Sequence, residues 1–212
     1  MRSVGNGEVE RKPLALICCG ALAKEVRELA ERRGWEADLY GASALHHSHP
    51  TRIVDAVEER LAEIRDRYDR VVVVYGDCGT AGALDEVLAR YDAVRPEGPH
   101  CYEMFGGADF ERLMEEETGT FFLTDWLVRN WDRVVVGSLG LDRNPALKPV
   151  FFASYRRVAY LRQSRRPELD EEAGRIAEYL GVTLEVRDVG LGELGRRLVE
   201  IVEGPAEPLA AA

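Results

Sequence analysis

Apolar and polar residues follow two rhythms along this chain: short unbroken apolar runs, and longer stretches with an apolar residue at every third or fourth position. The first run, Pro13-Leu14-Ala15-Leu16-Ile17-Cys18, closes at Gly20 and predicts a strand buried on both faces. From Ala21 to Arg33, Leu22, Val26, Leu29 and Ala30 make one apolar stripe, a helix that Gly34 stops. Glu36 to Tyr40 predicts a second strand, and Ile53 to Tyr68 returns to helical spacing through Ile53, Val57, Leu61 and Ile64. Arg70 to Tyr75 carries Val71-Val72-Val73-Val74; consecutive β-branched residues disfavour helix, so this is the strongest strand in the sequence. A loop at Gly76 to Gly82 and a helix at Ala83 to Tyr91 follow. Strand and helix in alternation indicate right-handed βαβ units and a mainly parallel, open α/β sheet with helices on both faces, a Rossmann-like layering.

Beyond residue 100 the pattern is less regular. Phe105 to Glu117 reads as a helix with Gly106-Gly107 near its start, and Gly119 to Leu123 as a short strand. Thr124 is placed to cap a helix through Trp126, Leu127 and Trp131, because its hydroxyl can accept from an otherwise unpaired N–H. Leu139 to Val150 is loop-rich. Strands are expected at Arg157 to Leu161 and Thr183 to Val186, and helices at Glu168 to Leu180 and Glu193 to Val202.

With 212 residues, the chain fits one α/β domain at 13–203 between flexible ends at 1–12 and 204–212; two subdomains dividing near 100–125 are the alternative. The net charge of −10 excludes a general nucleic-acid backbone binder, which needs a basic face, and disfavours anionic membrane surfaces. No apolar stretch approaches the roughly 20 residues that span a bilayer, and none resembles a secretory signal. The four cysteines therefore read as reduced thiols of a cytoplasmic protein.

Three of those cysteines sit where a strand or strand-like segment hands over to the next element: Cys19 before Gly20, Cys78 in Asp77-Cys78-Gly79-Thr80, and Cys101 in His100-Cys101-Tyr102-Glu103. In parallel α/β sheets the carboxyl ends of the strands share one edge, where ligands bind. Cys19, Cys78 and Cys101, with His100 as a possible fourth, are thus candidate ligands of one metal ion or iron–sulfur cluster, zinc or iron, if the fold brings them together. Their spacing matches no local Cys-x-x-Cys signature, and the plainer alternative is that cysteine serves as a small buried hydrophobe. That alternative is favoured for Cys18, inside the apolar run. Asp77, His100 and Glu103 are candidate acid–base groups.

The turn from Gly76 to Gly82 could offer backbone N–H groups to an anion, with Gly79 and Thr80 as ligand-binding positions, although Asp77 would repel a phosphate. The plainer alternative is a tight βα turn with Thr80 as the helix cap. Gly20, in the first strand's turn, admits the same pair of readings. Asp125 and Arg156 are further candidates for a small-molecule ligand, against ordinary helix electrostatics and a solvated charge. His46, His47 and His49 could form a metal tract, against the plainer alternative of an exposed polar loop; His46 is the candidate among them, at the expected mouth of the sheet.

The stretches Leu16-Ile17-Cys18-Cys19-Gly20-Ala21-Leu22, Tyr75-Gly76-Asp77-Cys78-Gly79-Thr80, Pro99-His100-Cys101-Tyr102-Glu103, Phe122-Leu123-Thr124-Asp125 and Tyr155-Arg156-Arg157-Val158 together resemble domain-of-unknown-function family 1638, over about residues 14 to 200. The resemblance implies that Cys19 is the family's cysteine and Cys18 an extra one. It also implies an association with corrinoid-dependent methyltransferase components and one-carbon metabolism. Three functions are open on this basis: a metalloenzyme using the cysteine site, a non-catalytic accessory protein that binds or delivers a cofactor or metal, and a thiol enzyme in which His100 activates one cysteine.

Overall fold

A computed structural model describes residues 11–204; of the expected flexible ends, all but Arg11, Lys12 and Gly204 lie outside those residues. The chain divides into two compact units, one running to Arg95 and the other beginning at Pro96. Each has its own three-stranded parallel sheet, so the parallel α/β architecture expected from the pattern is present as two sheets where one was foreseen.

The first unit runs β1 (Lys12–Cys19), α1 (Ala23–Arg33), β2 (Ala37–Ala42), a 3-10 turn (Ala44–Ser48), α2 (Pro50–Ile64), β3 (Tyr68–Val74) and α3 (Ala83–Arg90). The strand order is β2-β1-β3, with Val94 adding an isolated parallel bridge to Val72. Strand β1 is central, and Leu14 to Cys19 are all buried, which is why that run is apolar without alternation. Helix α1 buries Val26, Leu29 and Ala30 and stops at Gly34, which takes a left-handed φ of 68° while Trp35 N–H closes back onto Ala30 O at 2.9 Å. Helix α2 buries Ile53, Val57, Leu61 and Ile64 but ends at Ile64, short of the expected Tyr68. A 3-10 turn intervenes, and Tyr68 enters the sheet in register with Lys12.

The second unit runs α4 (Cys101–Gly106), α5 (Ala108–Glu116), β4 (Thr120–Thr124), α6 (Asp125–Arg129), a π-helical stretch (Asp132–Gly137), a 3-10 turn (Pro145–Leu147), α7 (Lys148–Phe152), β5 (Arg157–Arg162), α8 (Pro167–Leu180), β6 (Thr183–Asp188) and α9 (Gly192–Glu203). Its strands lie in the order β4-β5-β6. Two cores lie on opposite faces of that sheet, because alternate residues of a strand point to opposite sides. Leu123, Val158 and Tyr160 join Leu127, Trp131 and the apolar stripe of α8, whereas Phe122, Ala159 and Leu161 join Leu113. The helix expected over Phe105 to Glu117 is two helices, broken at Gly107, whose φ of 49° and ψ of −128° suit glycine alone. Among the described residues no helix is long and apolar enough to cross a membrane.

Candidate functional site

In the first unit, β1 leads through α1 to β2 on one side, while β2 leads through α2 past β1 to β3 on the other. Right-handed crossovers then place α1 and α2 on opposite faces, and the chain leaving β1 and the chain leaving β3 part in opposite directions. The crevice between them is the topological switch point, the usual ligand position in open α/β sheets. Cys19 is the last residue of β1, and the Gly76–Gly82 loop leaves β3.

Register explains what meets there. The last paired residues of β1 and β3 are Cys18 and Val74, so the next step sets Cys19 beside Tyr75, with side chains on the same face. Cys18 points to the other face, where its thiol meets Leu16 O at 3.7 Å. Cys19 is 2 % exposed and interacts with both Tyr75 and Cys78. The backbone N–H groups of Ala21 and Leu22 favour the thiolate of Cys19, and that of Gly76 favours the thiolate of Cys78, while the Leu22 N–H itself donates to Cys19 O at 2.9 Å. Burial pushes the Cys19 thiol up to about 11 and the Cys78 thiol up to about 12, against the partial relief those N–H groups give. Tyr75 is fully buried, and its hydroxyl, which interacts with the Cys19 thiol, has no conventional hydrogen-bond partner among the described residues. Gly20 closes the β1 turn by donating to Ala42 O at 2.8 Å, and a Cβ there would stand 3.1 Å from that oxygen.

The loop after β3 is organised by Asp77. Its carboxylate accepts from Gly79 N–H (3.2 Å), the Thr80 hydroxyl (2.9 Å), Ala81 N–H (3.3 Å) and Gly82 N–H (3.0 Å). The Gly82 N–H contributes most to holding the Asp77 carboxyl below its ordinary range, followed by the Thr80 hydroxyl. The N–H groups that an external anion would use are therefore occupied from within. Thr80 donates to Asp77 and does not cap α3, which Gly82 precedes directly. Cys78 and Ala81 are held at φ 49° and 52°, the left-handed region that non-glycine residues enter at a cost of roughly 1–2 kcal/mol.

Cys101 lies in the second unit, as the first residue of α4, and follows a loop and not a strand. His100 caps that helix, its Nδ1 accepting from Glu103 N–H at 3.3 Å, and its ring packs edge-on against Tyr102 and Phe110. Burial holds the imidazole below its ordinary range. Glu103 is taken up by Arg197 of α9 through two contacts of 2.6 and 2.8 Å. Asp125 is completely buried and accepts from Tyr160 OH (2.7 Å), Gln163 N–H (3.0 Å), Ser164 N–H (3.1 Å) and Ser164 OH (2.5 Å), tying the start of α6 to the end of β5. Thr124 caps α6 as expected, accepting from Leu127 N–H at 3.3 Å. Arg156 is exposed and donates to Ala153 O and Tyr155 O.

Two participants were not singled out from the sequence. Tyr75 sits inside the strongest apolar run, where an aromatic reads as core, and only its register opposite Cys19 marks it. His47, in the 3-10 turn, stacks on the Tyr75 ring with centroids 6.3 Å apart. Its neighbour His46 lines a cavity of about 250 Å³ with Ser43, Glu59, Arg60 and Glu63, and its buried Nδ1 has no hydrogen-bond partner among the described residues. Among the described residues, no three or more His, Cys, Asp or Glu side chains are gathered so as to hold a metal ion.

No curated protein matches the chain. A family model described as a protein of unknown function (DUF1638) matches residues 42–198, a stretch that includes Cys78, Cys101, Asp125 and Arg156 and begins after Cys19. Since that match covers most of the sequence, the chain belongs to the DUF1638 family.

Proposed function

We propose that the first unit binds a soft metal ion through the thiolates of Cys19 and Cys78 and that the protein is a metal-binding accessory protein, not a catalyst. The observation that carries this reading is the pair of cysteines at the switch point: Cys19 ends β1, and Cys78 stands in the loop that leaves the neighbouring β3. Burial keeps both thiols protonated, and a bound soft metal would displace those protons. The left-handed backbone at Cys78 supports the same reading. Glycine would fill that position without strain, so the cysteine side chain is retained at a cost in stability. Asp77, the acid–base group expected beside the thiols, is engaged by the loop's own donors, which favours binding or delivery over chemistry.

The test is metal content after anaerobic purification, measured for the natural chain and for Cys19→Ser, Cys78→Ser and Cys18→Ser. A serine hydroxyl is a hard, poorly acidic replacement for a soft thiolate. Metal is expected to fall sharply in the first two variants and to persist in Cys18→Ser. Equal metal in all four proteins, or none in the natural chain after reconstitution, would overturn the reading.

A further inference from the structure

We infer that the first unit carries a second ligand site, separate from the thiols: the cavity of about 250 Å³ at the carboxyl end of β2 binds a small primary ammonium compound. Ile17 and Ala42 line it from the sheet. Ala42 is the register partner of Cys19, and Ile17 stands two residues before Cys19, so all three share one face at the carboxyl edge, where ligands of open α/β sheets bind. Ser43 and His46 line it from the 3-10 turn. From α2 come Ala56, Glu59, Arg60 and Glu63, spaced i, i+3, i+4 and i+7, which is one stripe of a helix beside the apolar stripe that α2 buries. A polar stripe of that kind is ordinarily the solvated flank of a helix over an edge strand. His46 sets this one apart, because its buried Nδ1 has no hydrogen-bond partner among the described residues. A buried polar atom left so is costly, and either water or a ligand in the cavity must supply the bond.

The surrounding charges select the ligand's class. Arg60 is already engaged: its Nη1 meets Glu63 Oε2 at 2.5 Å, and its guanidinium lies 5.4 Å from the centre of the Tyr40 ring. With Glu63 set against Arg60, the Glu59 carboxylate is left as the unbalanced charge of the lining. Ser43 Oγ accepts from Leu45 N–H at 3.3 Å and keeps a second lone pair. In the tautomer with its proton on Nε2, His46 offers Nδ1 as an acceptor. The cavity thus presents acceptors and one surplus negative charge, and an ammonium group answers both through its charge and its three N–H donors. A carboxylate or phosphate would meet Glu59 as a like charge, with Arg60 already taken. His46, Glu59 and Glu63 are not gathered closely enough to hold a metal ion, which favours an organic cation that spans the wider space. The volume is below that of pockets for drug-sized molecules, so the compound has only a few heavy atoms.

The experiment is a titration of the full, isotope-labelled chain with butylammonium, followed by NMR, with tetramethylammonium and butyrate as comparison probes. Tetramethylammonium keeps the charge but has no N–H donor; butyrate reverses the charge. The expected result is saturable shifts at Ala42, Ser43 and the His46 ring nitrogens, with a dissociation constant on the order of 1 mM for so small a ligand. Tetramethylammonium should bind about tenfold more weakly or worse, and butyrate should not bind. Glu59→Gln, at an exposed position, should weaken butylammonium about tenfold. Ala56→Leu puts a larger side chain into the cavity with little change in helix propensity and should abolish binding. Circular dichroism establishes that both variants are folded; should Ala56→Leu fail to fold, Glu59→Gln and the comparison of probes still decide. Cys78→Ser should leave butylammonium binding unchanged, so this site stands or falls apart from the metal reading. Shifts that do not saturate, or that persist in Ala56→Leu, would mean surface charge binding only and would overturn the inference. Equal affinity for tetramethylammonium or butyrate would overturn it too, and no shift with any probe would assign the cavity to water.

Discussion

Two aspartates do the same work at different depths. Asp77 and Asp125 each follow or end a strand, and each carboxylate gathers the N–H and O–H groups of a turn that would otherwise lack partners. From the sequence both were candidates for chemistry, since an acidic residue at a strand end is where a catalytic carboxylate would also stand. Nothing in spacing separates the two uses; they differ in where the hydrogen bonds go. For Asp77 the consequence is a pH dependence whose sign is fixed. Its carboxyl titrates below its ordinary value because the loop binds the charged form, with Gly82 N–H foremost. The stabilisation is complete at pH values above the ordinary carboxylate range of about 4 and is lost as pH falls through the lowered, folded-state value. Asp77→Asn keeps one acceptor oxygen and loses the other, so at neutral pH it should cost about 1–2 kcal/mol in urea denaturation. That difference from the natural chain should shrink on acidification below pH 4. A difference that grew at low pH would contradict the assignment.

At the scale of elements, periodicity located every strand and most helices to within a few residues, because the apolar stripes are continuous where helices pack on a sheet. It missed the features that backbone geometry decides. The helix expected at Phe105 to Glu117 breaks at Gly107, and Asp132–Gly137 is a π-helical stretch although Val134-Val135-Val136 gives no helical stripe. Glycines show the same limit, since their roles depend on neighbours distant in sequence. At Gly192, the first residue of α9, an added Cβ would stand 1.9 Å from Phe105 O, and φ is +50°. At Gly174, within α8, no atom of the described residues outside the local helix backbone lies within 4 Å of the corresponding point. Gly192→Ala should therefore destabilise the protein by about 3 kcal/mol or more. Gly174→Ala should stabilise it by about 0.5–1 kcal/mol through helix propensity. Thermal melts of the two variants against the natural chain check both, and equal midpoints would refute the packing of α4 on α9.

For the whole molecule, the sequence made the class legible but not the partition into two sheets. Each strand–helix–strand unit looks alike in periodicity, and nothing in the residues between β3 and β4 states that pairing stops. The place of Cys101 was illegible for the same reason: it belongs to the unit after Arg95, whereas Cys19 and Cys78 belong to the one before it. Register, once known, is what joins Cys19 to Tyr75 and separates it from Cys18.

The central position of β1 sets where this protein can be cut. The stretch matched by the family model starts at residue 42, the end of β2, so an expression fragment trimmed to 42–198 would carry β3 with no neighbour on its β1 side. Exposed strand edges of that kind template aggregation. Such a fragment should be recovered largely as insoluble material, whereas one beginning at residue 11 should stay in solution. Choosing boundaries by likeness alone would discard the strand on which half of the chain is assembled, together with the cysteine that ends it.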